Sequence, residues 1–419
     1  MNSSEYRERR YGMAAQEALP SRIAAAIVAK DSHIAATSDA TGCRLTPAMA
    51  GEEVLAGRAI GTITAGEAAG LLGSLRREIA RAWMACGVFE FVAFTYLGVS
   101  SALILGFAEN VAHPLRLIGT QALVAAGILA LCWKEAHAMR GAALGEENVA
   151  ENATVPRERW RSRAKEPTLA SGAEAWTFAQ RFWHFWRHWY PHLFFLFCFE
   201  EMSKLVHLVQ PGWQDAKLIA FDQWLTGVTP SLWLERFAHP ALNEFMEFAY
   251  FSYFLFLLVL GAVLYRRREW SAYWAAMTYS AIAYALGYVI ATVFPVQSPW
   301  FTFAGMWHAD LAGGPFTALI HLIEKCGRVH GAAFPSQHVA GATAALLGAW
   351  RHRRWLFWVF LPLVACMDVS TVYVRNHYVA DVLGGLVTGT LGYAIGVWLT
   401  HGWSSAGFLH SWMSRRTWS

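Results

Sequence analysis

The chain has 419 residues, of which 55% are hydrophobic and only 15% charged, against about 25% charged in an ordinary soluble domain. Its 21 Trp and 26 Phe suit membrane interfaces, where amphipathic rings settle at headgroup level. A net charge of +4 is too small for the basic footprint of a nucleic-acid-binding protein. The six cysteines are scattered with no C-x-x-C pair, so they read as small buried hydrophobes and not as a disulfide framework or a metal site.

Residues 1–80 are rich in Ala, Gly, Glu and Arg and lack an early apolar core. They read as a polar cytoplasmic extension without a secretory signal. From Trp83 onward long apolar runs take over, and the pattern predicts an all-α integral membrane protein of about eight transmembrane helices. The expected spans are Trp83–Phe107, Leu117–Trp133, Trp189–His207, Phe245–Tyr265, Ala272–Phe294, Ser336–Trp350, Trp355–Val374 and Tyr378–Trp403. A span needs roughly 17 to 25 mainly apolar residues. The sixth is short, so either it begins upstream near Gly331 or its first residues lie recessed below the membrane surface. The chain then divides into residues 81–135 with two spans, a basic cytoplasmic linker over 136–187, a six-helix membrane domain over 188–403, and a cytoplasmic tail over 404–419.

Basic residues in short loops set the orientation. Arg266 to Arg268, Arg351, Arg353 and Arg354, the cluster from Arg157 to Lys165, Arg415 and Arg416, and Arg76, Arg77 and Arg81 all fall on one side of an eight-span arrangement. That side is assigned to the cytoplasm. The opposite side receives the loop around Asp222, the long loop Pro295–Pro335 and the Arg375-Asn376-His377 corner.

Two stretches carry chemistry. Gly331 to His338 enters the sixth span, and Thr371 to Asp381 joins the seventh to the eighth. His377 and Asp381 are four apart and share a helix face, so the carboxylate can fix the imidazole tautomer and leave the other nitrogen as nucleophile or base. Pro335 sets a helix start that Ser336 can cap. The first turn there suits a phosphate, with His338 beside it. A nucleophile, an acid and a set of donors are the parts phosphoryl transfer needs.

These stretches resemble the second and third signature motifs of the type 2 phosphatidic acid phosphatase superfamily, Pro-Ser-Gly-His and a His-x-x-x-Asp preceded by Ser-Arg. The nearest likeness is to the branch of inositol phosphorylceramide synthases and their bacterial relatives. Phe221 to Pro230, the tyrosines Tyr250 and Tyr253, and the Pro-rich Phe294 to Trp300 carry that likeness. The resemblance implies that His377 becomes a phosphohistidine, Asp381 orients it and His338 protonates the leaving alkoxide, without a metal or other cofactor. It implies a phospholipid or lipid-phosphate substrate, a membrane-lipid setting, and a bacterial inner membrane with the site facing the periplasm or exterior. Gln337 stands where the family has Gly, Thr371 stands where it has Arg, and the Lys and Arg-Pro of its first motif are missing. Arg375, Arg328 and Lys325 then become the cations for the phosphate, Arg375 first, with Ser336 and Gln337 beside them. The lost cations lean the expectation from plain hydrolysis toward a phosphotransferase. A polyprenyl-diphosphate or phosphatidic acid phosphatase is the alternative, and a transporter or a catalytically lost scaffold the rival from another class.

His184, His188 and His192 recur every four residues. Set among Trp183, Trp186 and Trp189, they are read as aromatic-belt residues and not as a metal ladder. Glu90, Glu200, Glu201, Glu247 and Asp368 are further carboxylates at membrane depth, with no catalytic role assigned.

Overall fold

The computed structural model describes residues 65–152, 176–327 and 329–406, and no strand occurs among them. The chain divides after Leu71, and the first unit is described only from residue 65, as the opening of helix α1 (Ala65–Met84). The second unit holds the spans and the site. Its early helices are α2 (Val88–Gly106), α3 (Pro114–Asn152) and α4 (Phe178–Leu205). Three shorter ones follow, α5 (Asp215–Thr226), α6 (Pro230–Leu234) and α7 (Pro240–Phe251), and then α8 (Tyr253–Arg266) and α9 (Trp270–Val293). The last part comprises α10 (Pro299–Thr302), α11 (Pro315–Gly327), α12 (Gln337–His352), α13 (Arg354–Tyr373) and α14 (Val379–Ala406).

Among the described residues, five helices are long and apolar enough to cross a membrane: α2, α3 as far as Met139, α9, α13, and α14 as far as His401. The pair α7–α8, bent by 40° at Ser252, makes a sixth if it is counted as one broken span. The eight expected spans fall on helical stretches, the fourth across the α7–α8 break, but the third and sixth fall short of that standard. Helix α4 is 28 residues long yet interrupted by Arg181, Arg187, Glu200, Glu201 and Lys204. Helix α12 has 16 residues, about 24 Å at ~1.5 Å per residue. Gly331 to Ser336 is not helical, so α12 does not begin upstream.

Two helices run into the stretch read as a linker. Helix α3 continues past residue 135 to Asn152, and α4 starts at Phe178 inside the stretch read as a linker. A run of Ala, Glu and Leu after Trp133 favours continuing helix over a loop. The basic residues from Arg157 to Lys165, and Arg415 and Arg416, lie outside the described residues.

The packing centre is the trio α9, α12 and α14. A Cβ at Gly389 of α14 would stand 2.6 Å from the Ala340 carbonyl oxygen of α12. One at Gly392 would stand 2.7 Å from Ala283 of α9. Small residues let these backbones approach closely, the mode of helix association that works where lipid offers no hydrophobic drive. That contact brings the N-terminus of α12 to the N-terminus of α14, where Ser336 N donates to the Asp381 carbonyl at 3.0 Å.

The two ends of the bundle differ. Arg353, between α12 and α13, pairs with Glu269 between α8 and α9, and Arg267 lies 3.3 Å from the same carboxylate. The two basic loops therefore share one end. At the other end Trp300 N donates to the Arg375 carbonyl at 2.9 Å, and Ala333 N to that of Val296 at 3.0 Å. This ties together the three segments that carry the motifs.

Candidate active site

Helix α12 opens as its sequence requires. Ser336 is the N-cap and its hydroxyl accepts from Val339 N at 3.3 Å, which leaves His338 in the first turn. Helix α13 ends in a turn where Asn376 N and His377 N both donate to the Thr371 carbonyl, at 3.1 and 3.0 Å. Helix α14 then starts under a borrowed cap. The Asp222 carboxylate of α5 accepts from Val379 N and Ala380 N, each at 2.9 Å. An anion at a helix N-terminus satisfies free N–H groups and meets the positive dipole end. Burial pushes the Asp222 carboxyl up, and the two N–H donors work against that shift.

These three ends bring the predicted trio together. His377 Nδ1 lies 3.3 Å from Asp381 Oδ2, which also accepts from Tyr378 N at 2.8 Å. His377 Nε2 lies 3.3 Å from His338 Nδ1, and His338 Nε2 lies 2.9 Å from the Tyr250 hydroxyl. One proton pattern satisfies the whole chain. His377 donates from Nδ1 to the carboxylate, His338 donates from Nδ1 to His377 Nε2, and Tyr250 donates to His338 Nε2. Asp381 is fully buried, and His377 and Tyr250 nearly so. Burial, with His338 alongside, holds the His377 imidazole well below its ordinary 6.5, which favours the neutral ring.

Tyr250 is the partner that sequence reasoning did not assign, although it was singled out with Tyr253. The bend between α7 and α8 directs both at His338, whose ring centre is 4.9 Å from that of Tyr250 and 4.5 Å from that of Tyr253. Asp215 is a second omission. Its carboxylate accepts from Gln297 N at 3.1 Å, the Thr302 hydroxyl at 2.7 Å and the Tyr378 hydroxyl at 3.0 Å. It therefore fixes the Pro-rich loop against the residue that follows His377.

A cavity of about 880 Å³ opens at the histidines. His338, His377, Asn376, Gln337 and Ser298 line one part, and Phe195, Phe199, Leu257 and Leu258 are among the apolar residues lining the rest. Gln337 is buried, and a Cβ at Gly287 of α9 would stand 2.0 Å from its Nε2. The bulk gained at position 337 therefore lies over a glycine on the facing helix. Thr371, in the family's Arg position, donates its hydroxyl to the Asp368 carbonyl at 2.8 Å and stays within its own helix.

The expected cations part company. Arg375 does not line the cavity. Its guanidinium donates to the Ala309 carbonyl at 2.6 Å, lies 3.3 Å from Glu235 and sits 4.1 Å from the centre of the Trp307 ring. Lys325 is exposed on the last turn of α11, and it too is absent from the lining. Arg328 lies outside the described residues, but its neighbours Gly327 and Val329 both line the cavity. Ser336 is buried and spent on its capping bond.

Residues 216–395 match the family model of the PAP2 superfamily. The match opens inside α5 and closes within α14, so it takes in Asp222, Tyr250, His338, His377 and Asp381 and leaves out α1 to α4. It begins later than the third expected span. No curated protein and no solved structure matches the chain. The PAP2 match suggests phosphatase or phosphotransferase chemistry for the region that carries the site.

Proposed function

We propose that the protein is a membrane lipid phosphotransferase or phosphatase that passes a phosphoryl group through His377. The observation that carries this is the continuous polar chain Asp381–His377–His338–Tyr250 at one end of a large, mainly apolar cavity. The polar part suits a phosphate headgroup, and the apolar part suits the chain of an amphiphile. His377 Nε2 attacks phosphorus, so a P–N bond forms as the P–O bond to the leaving group breaks. His338, carrying a second proton once the anion is bound, gives that proton to the departing alkoxide. Water or an acceptor alcohol then attacks, the P–N bond breaks, and the proton of the attacking O–H returns to His338. No metal is assigned to these steps; Arg328, Asn376 and backbone donors hold the phosphoryl oxygens.

The absent family Arg and the bulk of Gln337 favour transfer to an alcohol, in the manner of inositol phosphorylceramide synthase-like enzymes. The shared end of the basic loops supports a cytoplasmic assignment for that end, with the histidines facing outward.

Purified protein is turned over on a panel of phosphorus-labelled lipid phosphates and phospholipids and quenched in alkali. Label on His377 that survives alkali and is lost in acid is the expected result, and His377→Ala should carry none. Label on His338, or full turnover in His377→Ala, would overturn the assignment. Free phosphate or a phosphorylated alcohol as product separates hydrolysis from transfer.

A further inference from the structure

Outside this site, α3 and α4 bring Glu135, His184 and His188 together, with one donor atom from each lying within 4.8 Å of the others. His184 Nδ1 lies 2.9 Å from Glu135 Oε1, and His188 Nδ1 lies 2.8 Å from the His184 carbonyl oxygen. A carbonyl oxygen only accepts, so His188 Nδ1 carries the proton and its Nε2 holds a lone pair. His184 Nδ1 faces Glu135 Oε1, so this nitrogen and that oxygen can bind one ion side by side in place of the proton between them. Both Nε2 atoms are buried with no hydrogen-bond partner, in residues 8% and 3% exposed. A buried imidazole lone pair such as that of His188 Nε2 is costly unless something electron-poor meets it.

We infer that Glu135, His184 and His188 form a binding site for one divalent first-row cation, of which zinc is the best fit. Two imidazoles and a carboxylate are a donor set suited to such ions. Ligands about 2.0–2.2 Å from a tetrahedral ion stand roughly 3.4 Å apart, between the 2.9 Å and 4.8 Å found here, so modest side-chain movement closes the shell. His188 shows the usual outer-shell arrangement for a metal-bound histidine, its other ring nitrogen donating to a backbone carbonyl.

Other charged groups packed against the set are compatible with a cation. Arg187 is the nearest like charge, but it lies 2.7 Å from buried Glu90 and 3.6 Å from Glu135. Its guanidinium also sits 4.1 Å from the centre of the Trp274 ring. Glu90 and Glu135 together outweigh this one guanidinium. Trp270 and Tyr265 wall the site, 4.7 and 5.9 Å from the His184 ring centre, giving the apolar shell typical of metal sites. His192, the third member of the sequence ladder, stands apart: it stacks on Trp189 and lines the cavity. The third ligand comes from another helix, so the ion would fasten α3 to α4. Trp270 follows the Arg266 to Arg268 loop, so the site lies at the basic end of the bundle.

The test uses the full chain in detergent, stripped with chelator, incubated with zinc at micromolar excess, desalted and assayed for metal. Wild type should retain one zinc per chain, and cobalt in its place should give a visible ligand-field band. His188→Gln and Glu135→Gln should each lower retention at least tenfold, whereas His192→Gln should retain zinc as wild type does. Because a variant could misfold, the elution volume of each is compared with wild type, and a wild-type thermal scan with and without zinc provides a second readout. A zinc-dependent rise in wild-type melting temperature that is absent in His188→Gln supports the site. No retained zinc in wild type, or equal retention in the Glu135→Gln/His188→Gln double variant, would sink it. Phosphoryl transfer is not needed for either readout, so the failure of one proposal leaves the other standing.

Discussion

Arg375 separates what proximity in sequence suggests from what the fold does. It is two residues from His377, yet its guanidinium is bound to Glu235 and the Ala309 carbonyl, with both side chains of the ion pair less than one-tenth exposed. Glu235 also accepts from His308 N and Ala309 N, so this pair holds the loop after α10 against the α13–α14 corner. Removing one partner of a buried pair leaves an uncompensated charge, at a cost of about 3–5 kcal/mol. In a unit of this size about 1–2 °C of melting temperature accompanies each kcal/mol, so Arg375→Ala should lower it by roughly five degrees. In Arg375→Met/Glu235→Gln neither charge remains buried alone, and most of that loss should return. The assay is thermal unfolding in detergent, with turnover measured well below the transition. If Arg375 instead held the phosphate, Arg375→Ala would keep wild-type stability and lose about 10²–10³ in rate, and the double variant would stay equally slow. That outcome would refute the structural role.

Three further expectations follow from the site. Tyr250→Phe removes a hydrogen bond to His338 worth about 1–1.5 kcal/mol, so turnover should fall about tenfold, with poor leaving groups affected more than activated phenolates; equal loss for both would deny Tyr250 a part in positioning the acid. Gly287→Ala should destabilise by about 1–3 kcal/mol through overpacking on Gln337, and Gln337→Gly in the same chain should relieve it; additive thermal shifts would show that the two positions do not share space. Because the His377 pKa is held well below 6.5, kcat/KM should stay flat as pH falls through 6.5, with the acid limb appearing lower, where His377 gains a proton and loses its lone pair; an acid limb centred at 6.5 or above would contradict this.

The grouping of His377, Asp381 and His338 was legible because its signals are local. Four residues separate His377 from Asp381, and a Pro-Ser pair announces the helix start that carries His338. The span pattern was legible for the same reason, since apolar runs need no partner to be recognised. Tyr250 was not assigned, because its contact with His338 crosses 88 positions and depends on a bend at Ser252 that no Pro or Gly marks. Arg375 was misdirected by its short distance from His377. Its backbone adopts φ 68°, a left-handed turn between two helices, and sequence spacing says nothing about where such a residue points. The histidine ladder gave a four-residue period but only two usable ligands, and the third, Glu135, comes from a helix 49 positions away. The extent of α4 misled in another way: its buried charges are satisfied by α2 and α3, which lets a helix too polar for a lone span sit inside the bundle.

The contact between His338 Nδ1 and His377 Nε2 has a kinetic corollary. In the proposed mechanism the attacking lone pair is already engaged at rest, so the site would be latched shut by its own acid. Every incoming phosphoryl group would have to wedge two rings apart, and departure of the product would let them close again. The latch would keep an idle nucleophile from stray electrophiles and place part of the work of opening in KM instead of kcat. Without that ring, as in His338→Ala, the nucleophile would stand open: phosphoenzyme would form faster from activated phenyl phosphates even as turnover on natural alkoxide leaving groups collapsed.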